Sequence, residues 1–158
     1  MDPTVRKQAL RLFTYGLYIV MCNDNGTING FTANWLSQVS FEPPLVAVSV
    51  ENDSKSLPMM LHSGTFTINV MRSGQRELAG KLGKSALKDP SKLENINYAL
   101  NEQGQPIWLD GLAWVACAVH QHSVTGDSTL VVAEVVDAGV VAEGQPLTMV
   151  EAGFRHAG

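Results

Sequence analysis

The apolar positions change period several times along the chain, and each change predicts an element. Residues 4–13 place Val5, Ala9, Leu10, Leu12 and Phe13 at roughly helical spacing, which predicts one short helix. The run YGLYIVMC at 15–22 is β-branched and aromatic and predicts a strand, closed by the turn-rich NDNGTING, whose Asn25-Gly26 pair is a strong hairpin signal. LVAVSVE at 45–51 and TFTINVM at 65–71 predict further strands, with a helix over SLPMMLHSG between them that stops at Gly64. QRELAGKLG at 75–83 predicts another helix. The polar excursion at 85–111 has too little β pattern to join a central sheet and reads as a flap or a dimer arm. Two long strands follow, LAWVACAVHQHSV at 112–124 and STLVVAEVVDAGVVA at 128–142, joined by the tight turn Thr125-Gly126-Asp127. With no internal repeat and no linker, the pattern predicts a single domain over 1–158. Its class is mainly β, an antiparallel barrel with a few short helices whose closure protects the strand edges.

One stretch does not fit this scheme. GFTANWLSQVS at 30–40 gathers Thr32, Asn34, Trp35, Ser37, Gln38 and Ser40, then a double proline, then the strand at 45–51, then the polar cluster Asn52-Asp53-Ser54-Lys55-Ser56. Taken alone, a Ser/Thr/Asn-rich segment between strands reads as a surface turn. The density of hydrogen-bonding groups on both sides of one strand also suits a bound polar ligand.

Composition narrows the partners. The formal charge of −4, with lysines and arginines scattered, offers no footprint for nucleic acid or an anionic membrane surface. The N-terminal residues are charged and no run of about 18 apolar residues occurs, so a cytoplasmic protein is expected. Cys22 and Cys117 are far apart in apolar surroundings and read as buried free thiols. His120 and His122 share a face of a predicted strand, but without a third ligand at useful spacing they read as a solvated face, with no metal site. His62 and Arg76 fall on exposed helix faces, and Met59, Met60 and Met71 read as core filling.

The ordered series TYGLYIVMC, the Asn-Gly turn, GFTANWLSQVS, PPLVAVSVEN, SGTFTINVM, QRELAG, GDSTLVVAEVVDAG and PLTM resembles the flavin reductase-like family, the FMN-binding split barrels. Within it, the chain looks most like the flavin reductase domains that accompany rubredoxin-like or flavodiiron electron-transfer proteins. The resemblance implies a homodimeric split barrel that binds FMN and is reduced by NADH or NADPH. Electrons would pass on to free flavin, a ferric complex or a redox protein. The alternative within the same resemblance is a non-catalytic FMN electron-transfer module reduced by a partner protein.

The resemblance also gives the polar stretch a chemistry. Thr32, Ala33, Asn34 and Trp35 would line the edge of the isoalloxazine ring, Trp35 through its backbone first. Ser40, Asn52, Ser54, Lys55 and Ser56 would receive the phosphate, with Lys55 neutralising its charge and Glu51 and Asp53 turned elsewhere. Many members carry histidine after Gly-Asp, near the nicotinamide. Here that residue is Ser128, which can hydrogen-bond a carboxamide but cannot titrate near neutral pH. Phe154, Arg155 and His156 either cover the open flavin face or only finish the domain surface.

Overall fold

The computed structural model describes residues 1–156. Its central sheet has seven antiparallel strands: β1 (Tyr18–Asp24), β2 (Thr27–Ala33), β3 (Leu36–Ser40), β4 (Leu45–Glu51), β5 (Thr65–Val70), β8 (Ala113–Thr125) and β9 (Ser128–Val140), in the order β2-β1-β5-β8-β9-β4-β3. The sheet curls until β2, at one edge, meets β4 near the other, giving the split barrel. Four short helices, α1 (Pro3–Leu10), α2 (Ser56–Ser63), α3 (Arg76–Leu82) and α4 (Met149–Ala152), are set around it.

β1 explains why the apolar run at 15–22 has no polar alternation: both of its faces are buried. Val20 and Cys22 point into the barrel with Val48, Val50, Met60, Phe66, Ile68, Cys117 and Val131. Ile19 and Met21 point outward, into a second cluster with Met71, Leu82, Trp108 and Leu147 beneath α3. The predicted strand started three residues early. Leu17 is buried too, but its N–H is held by the carbonyl of Leu147 outside the sheet.

The polar stretch is a correction. Thr27–Ala33 and Leu36–Ser40 are strands, and the turn is confined to Asn25 and Gly26, whose φ values of 51° and 88° suit a two-residue hairpin. Polar residues of β2 face the cavity described below, so the apolar alternation that marks a half-buried strand is lacking. α1 ends three residues before the predicted limit and buries no side chain, although Val5, Leu12 and Phe13 are apolar. α2 stops as predicted at Gly64, whose φ of 71° a β-carbon would strain.

The excursion stays out of the central sheet, as predicted, and lies against its own chain. β6 (Tyr98–Leu100) and β7 (Pro106–Trp108) form a separate ribbon. Trp108 is buried in the outer cluster, and its N–H donates to Asn69 Oδ1 at 2.8 Å. Asn69 Nδ2 donates to the Ile19 carbonyl at 3.0 Å, and Thr67 Oγ1 donates to the Pro106 carbonyl at 2.6 Å. These bonds let a β-strand carry buried polar side chains: those to Pro106 and Trp108 hold the ribbon on the barrel, and that to Ile19 ties β5 to β1. Met59, Met60 and Met71 are core residues, and the hairpin faces of His120 and His122 are exposed. Among the described residues no group of three metal-ligating side chains occurs, and no helix is long and apolar enough to cross a membrane.

Candidate functional site

A cavity of about 1400 Å³ opens where β2, the turn after β4, α3, the loop at 84–92 and residues 153–156 meet. Pockets for single small ligands run from about 300 to 1000 Å³, so this one has room for two ring systems.

Its first wall is the end of β2. Phe31, Thr32, Ala33, Asn34 and Trp35 all border the cavity. Thr32 Oγ1 is already committed, donating to the Ala79 carbonyl at 2.6 Å and so fixing α3 against the strand. The Trp35 carbonyl accepts from Ser49 N–H at 3.0 Å, and its ring meets that of His156 edge-on at 4.8 Å between centroids. Asn34 differs from both. Its Nδ2 is buried and has no hydrogen-bond partner among the described residues, which costs about 1–3 kcal/mol unless a ligand supplies an acceptor.

The second wall is the turn from β4 into α2. Ser54, Lys55 and Ser56 border the cavity. Ser54 Oγ accepts from Ser56 N–H at 3.1 Å, and Ser56 Oγ accepts from Asn29 Nδ2 at 2.7 Å. Lys55 is the N-cap of α2 and makes no side-chain cap bond, but with the Ser56 N–H held by Ser54 Oγ and no N–H on Pro58, the first turn leaves at most the Leu57 N–H for a ligand. Glu51 and Asp53 also border the cavity. Two residues expected here lie elsewhere. Ser40 ends β3, paired with Leu45, outside the cavity. Asn52 braces the β8–β9 turn, accepting from Thr129 Oγ1 at 2.7 Å and donating to the Gly126 carbonyl at 3.2 Å.

That brace brings the β8–β9 turn to the rim, where Asp127 and Ser128 border the cavity. Ser128 is buried and donates to Asp127 Oδ1 at 3.3 Å. The remaining cover is the segment after α4. Arg76 Nε donates to the Ala152 carbonyl and its guanidinium sits 5.6 Å over the Phe154 ring, so Phe154, Arg155 and His156 are led across the cavity.

The loop at 84–92 was not legible as a wall. Lys84, Ser85, Ala86, Leu87, Lys88 and Lys92 all border the cavity. The one signal in the sequence was lysine at every fourth position, 84, 88 and 92.

Residues 10–158 match the flavin reductase like domain model, which is nearly the whole chain. The chain belongs to the flavin reductase-like family. Its reaction class is accordingly flavin reduction, and it is an oxidoreductase. A high molecular weight rubredoxin of Moorella thermoacetica is 32% identical over 89% of this chain, and the chain spans 62% of that protein's length. A flavin reductase of Pseudomonas putida is 29% identical over 97% of the chain and 89% of its own length. Among solved structures, the NADH:FAD oxidoreductase SgcE6 of Streptomyces globisporus C-1027 superposes with a TM-score of 0.81 at 27% identity, covering 94% of this chain and 90% of that one. The flavin reductase-like fold thus places its cavity at the gap where the barrel is split, between β2 and the β4–α2 turn.

Proposed function

We propose that this flavin reductase-like protein holds FMN in the cavity and reduces it with NADH or NADPH. The observation that carries the reading is the unsatisfied amide of Asn34 at the end of β2, set along the cavity from the polar β4–α2 turn. Asn34 offers an unpartnered amide donor at one end, and Asn29, five residues earlier, is bonded to Ser56 beside Lys55 at the other. Five residues of strand span about 16 Å at roughly 3.3 Å each, the reach of a fused ring system with a phosphorylated side chain. The donor set fits an uncharged ring edge at one end and an anion at the other.

When bound, the flavin supplies reversible acceptance of a hydride from the nicotinamide. The residues here bind and orient. Asn34 Nδ2, with the backbone from Thr32 to Trp35, would hold the ring edge, and a donor fixed there before reaction favours charge that develops on the ring. Ser54, Lys55 and Ser56 would hold the phosphate. Ser128 would take the nicotinamide carboxamide, holding the two rings in contact, which is the main catalytic demand of hydride transfer. The segment Phe154–His156 would exclude water from that contact.

The protein acts as a homodimer with the flavin near the subunit boundary. Exposed apolar side chains on β3 and β9, Val39, Val136 and Val140, with Phe41 just beyond β3, support this. It works as a single domain in the cytoplasm, in keeping with two buried free thiols. Electrons pass to free flavin, a ferric complex or a redox protein, the last supported by the rubredoxin relative. The test is to release the cofactor, identify it by mass, and follow anaerobic bleaching with each nicotinamide. FMN and bleaching are expected. Bleaching by dithionite alone would favour the non-catalytic electron-transfer module, and failure to bind any flavin would refute the reading.

A further inference from the structure

The chain beyond α4 is anchored more firmly than an exposed terminus, which ordinarily frays. Gly153 ends α4 at a φ of 70°, a left-handed conformation that turns the chain and suits glycine. Arg76, the first residue of α3, grips both sides of that turn: its Nε donates to the Ala152 carbonyl, and its guanidinium stands 5.6 Å from the centre of the Phe154 ring. Phe154 packs against the outer cluster. α3 carries no side chain where the ring passes, and a β-carbon on Gly80 would stand 3.5 Å from Phe154 Cζ. Two residues on, the His156 ring meets Trp35 edge-on at 4.8 Å.

Arg76 and Gly80 lie on α3, whereas Trp35 lies between β2 and β3, so residues 154–156 run from one wall of the cavity to another. Trp35 adjoins Asn34, at the end of the cavity assigned above to the ring edge. The β8–β9 turn that carries Ser128 is tied instead to Asn52. Donor and flavin therefore need not share one entrance.

We propose that Phe154–His156 is a strap latched on α3 at one end and on Trp35 at the other, and that it holds FMN in the protein from one turnover to the next. FMN enters and leaves only when the strap swings open about Gly153, while the donor reaches Ser128 with it closed. The proposal rests on the flavin reading above and deepens it: the flavin is a retained group, not a substrate released after each reduction, so acceptors come to the cavity.

Phe154→Ala removes the first latch, His156→Ala the second, and the double variant both. Each single variant should release FMN about 2- to 10-fold faster than the wild type, the value of one aromatic or cation–π contact, and the two factors should multiply in the double variant because the latches sit on separate elements. Release is measured by chasing tritiated FMN from the loaded protein with unlabelled FMN, and capture by stopped-flow quenching of FMN fluorescence on the flavin-free protein. A latch slows both directions. Capture should therefore quicken as well, and the dissociation constant should change less than the release rate. Faster release with unchanged capture would make the two rings ordinary ligand contacts, and unchanged release in the double variant would leave the segment a mere finish to the surface; either result overturns the proposal. So would a wild type that releases FMN as fast as NADH or NADPH reduces it. A wild type that takes up no FMN sinks the flavin reading itself, which a failure confined to the strap leaves standing. Phe154→Leu, which keeps an apolar side chain but no ring for Arg76, carries the same test if the alanine variant does not fold.

Discussion

Replacing Asn34 with leucine should stabilise the flavin-free protein and weaken flavin binding, two effects of opposite sign from one side chain. Asn34 Nδ2 is buried with no partner among the described residues, so the folded apo-protein bears the desolvation of a donor that the unfolded chain satisfies with water. Leucine removes that penalty and is worth about 1–2 kcal/mol in apo stability. In the complex the same amide meets a ring acceptor, and its loss costs about 1–2 kcal/mol, or roughly 5- to 30-fold in dissociation constant. Leucine has the same number of side-chain heavy atoms as asparagine and the position borders the cavity, so overpacking should be small. Urea denaturation of the apo forms measures the first effect at equal m-value, and fluorescence titration with FMN the second. An apo variant destabilised by more than about 1 kcal/mol, or one that binds FMN like the parent, would refute the reasoning, because Asn34 would then be a satisfied structural residue.

Ser128→Ala should change the nicotinamide dependence or the rate of flavin reduction by up to about tenfold with FMN binding nearly intact, read by stopped-flow with NADH and NADPH. Unchanged reduction with an efficient donor would remove Ser128 from the donor site. Glu151 accepts from Ser73 Oγ at 2.5 Å and Gly74 N–H at 2.9 Å, which hold its pKa below the usual 4.5. Because the folded-state value is the lower one, the stabilisation is present above pH 4.5 and is lost as pH falls through the depressed value. Glu151→Gln should therefore lower stability at neutral pH, with the gap to the parent closing under acid, and a gap independent of pH would contradict this. Burial pushes the thiols of Cys22 up to about 11 and Cys117 up to about 12, so a thiol reagent at pH 8 should modify both only after unfolding.

The sequence by itself determined the elements whose burial is repetitive. β4, β5, the β8–β9 hairpin, α2 and α3 present apolar residues at a local period, and Gly64 marks its helix end because only a residue without a β-carbon sits easily at that φ. The family resemblance brought Asn34, Trp35, Ser54, Lys55, Ser56 and Ser128 forward as one chemistry, and all of them border one cavity. β2 and β3 escaped the pattern because their polar side chains serve that cavity or face solvent. Ser40 and Asn52 show the converse: both lie in polar stretches that also supply cavity residues, yet Ser40 pairs with Leu45 outside the cavity and the β8–β9 turn takes Asn52 as a brace. What only the tertiary structure decided is which distant segments face each other. Lys92 looks like one more surface lysine in a polar excursion, and only the folding of the 84–92 loop over α3 buries its ammonium. Periodicity records which side of an element meets the core, whereas the pairing of walls across a cavity depends on contacts between residues far apart in the chain, and these have no local signature.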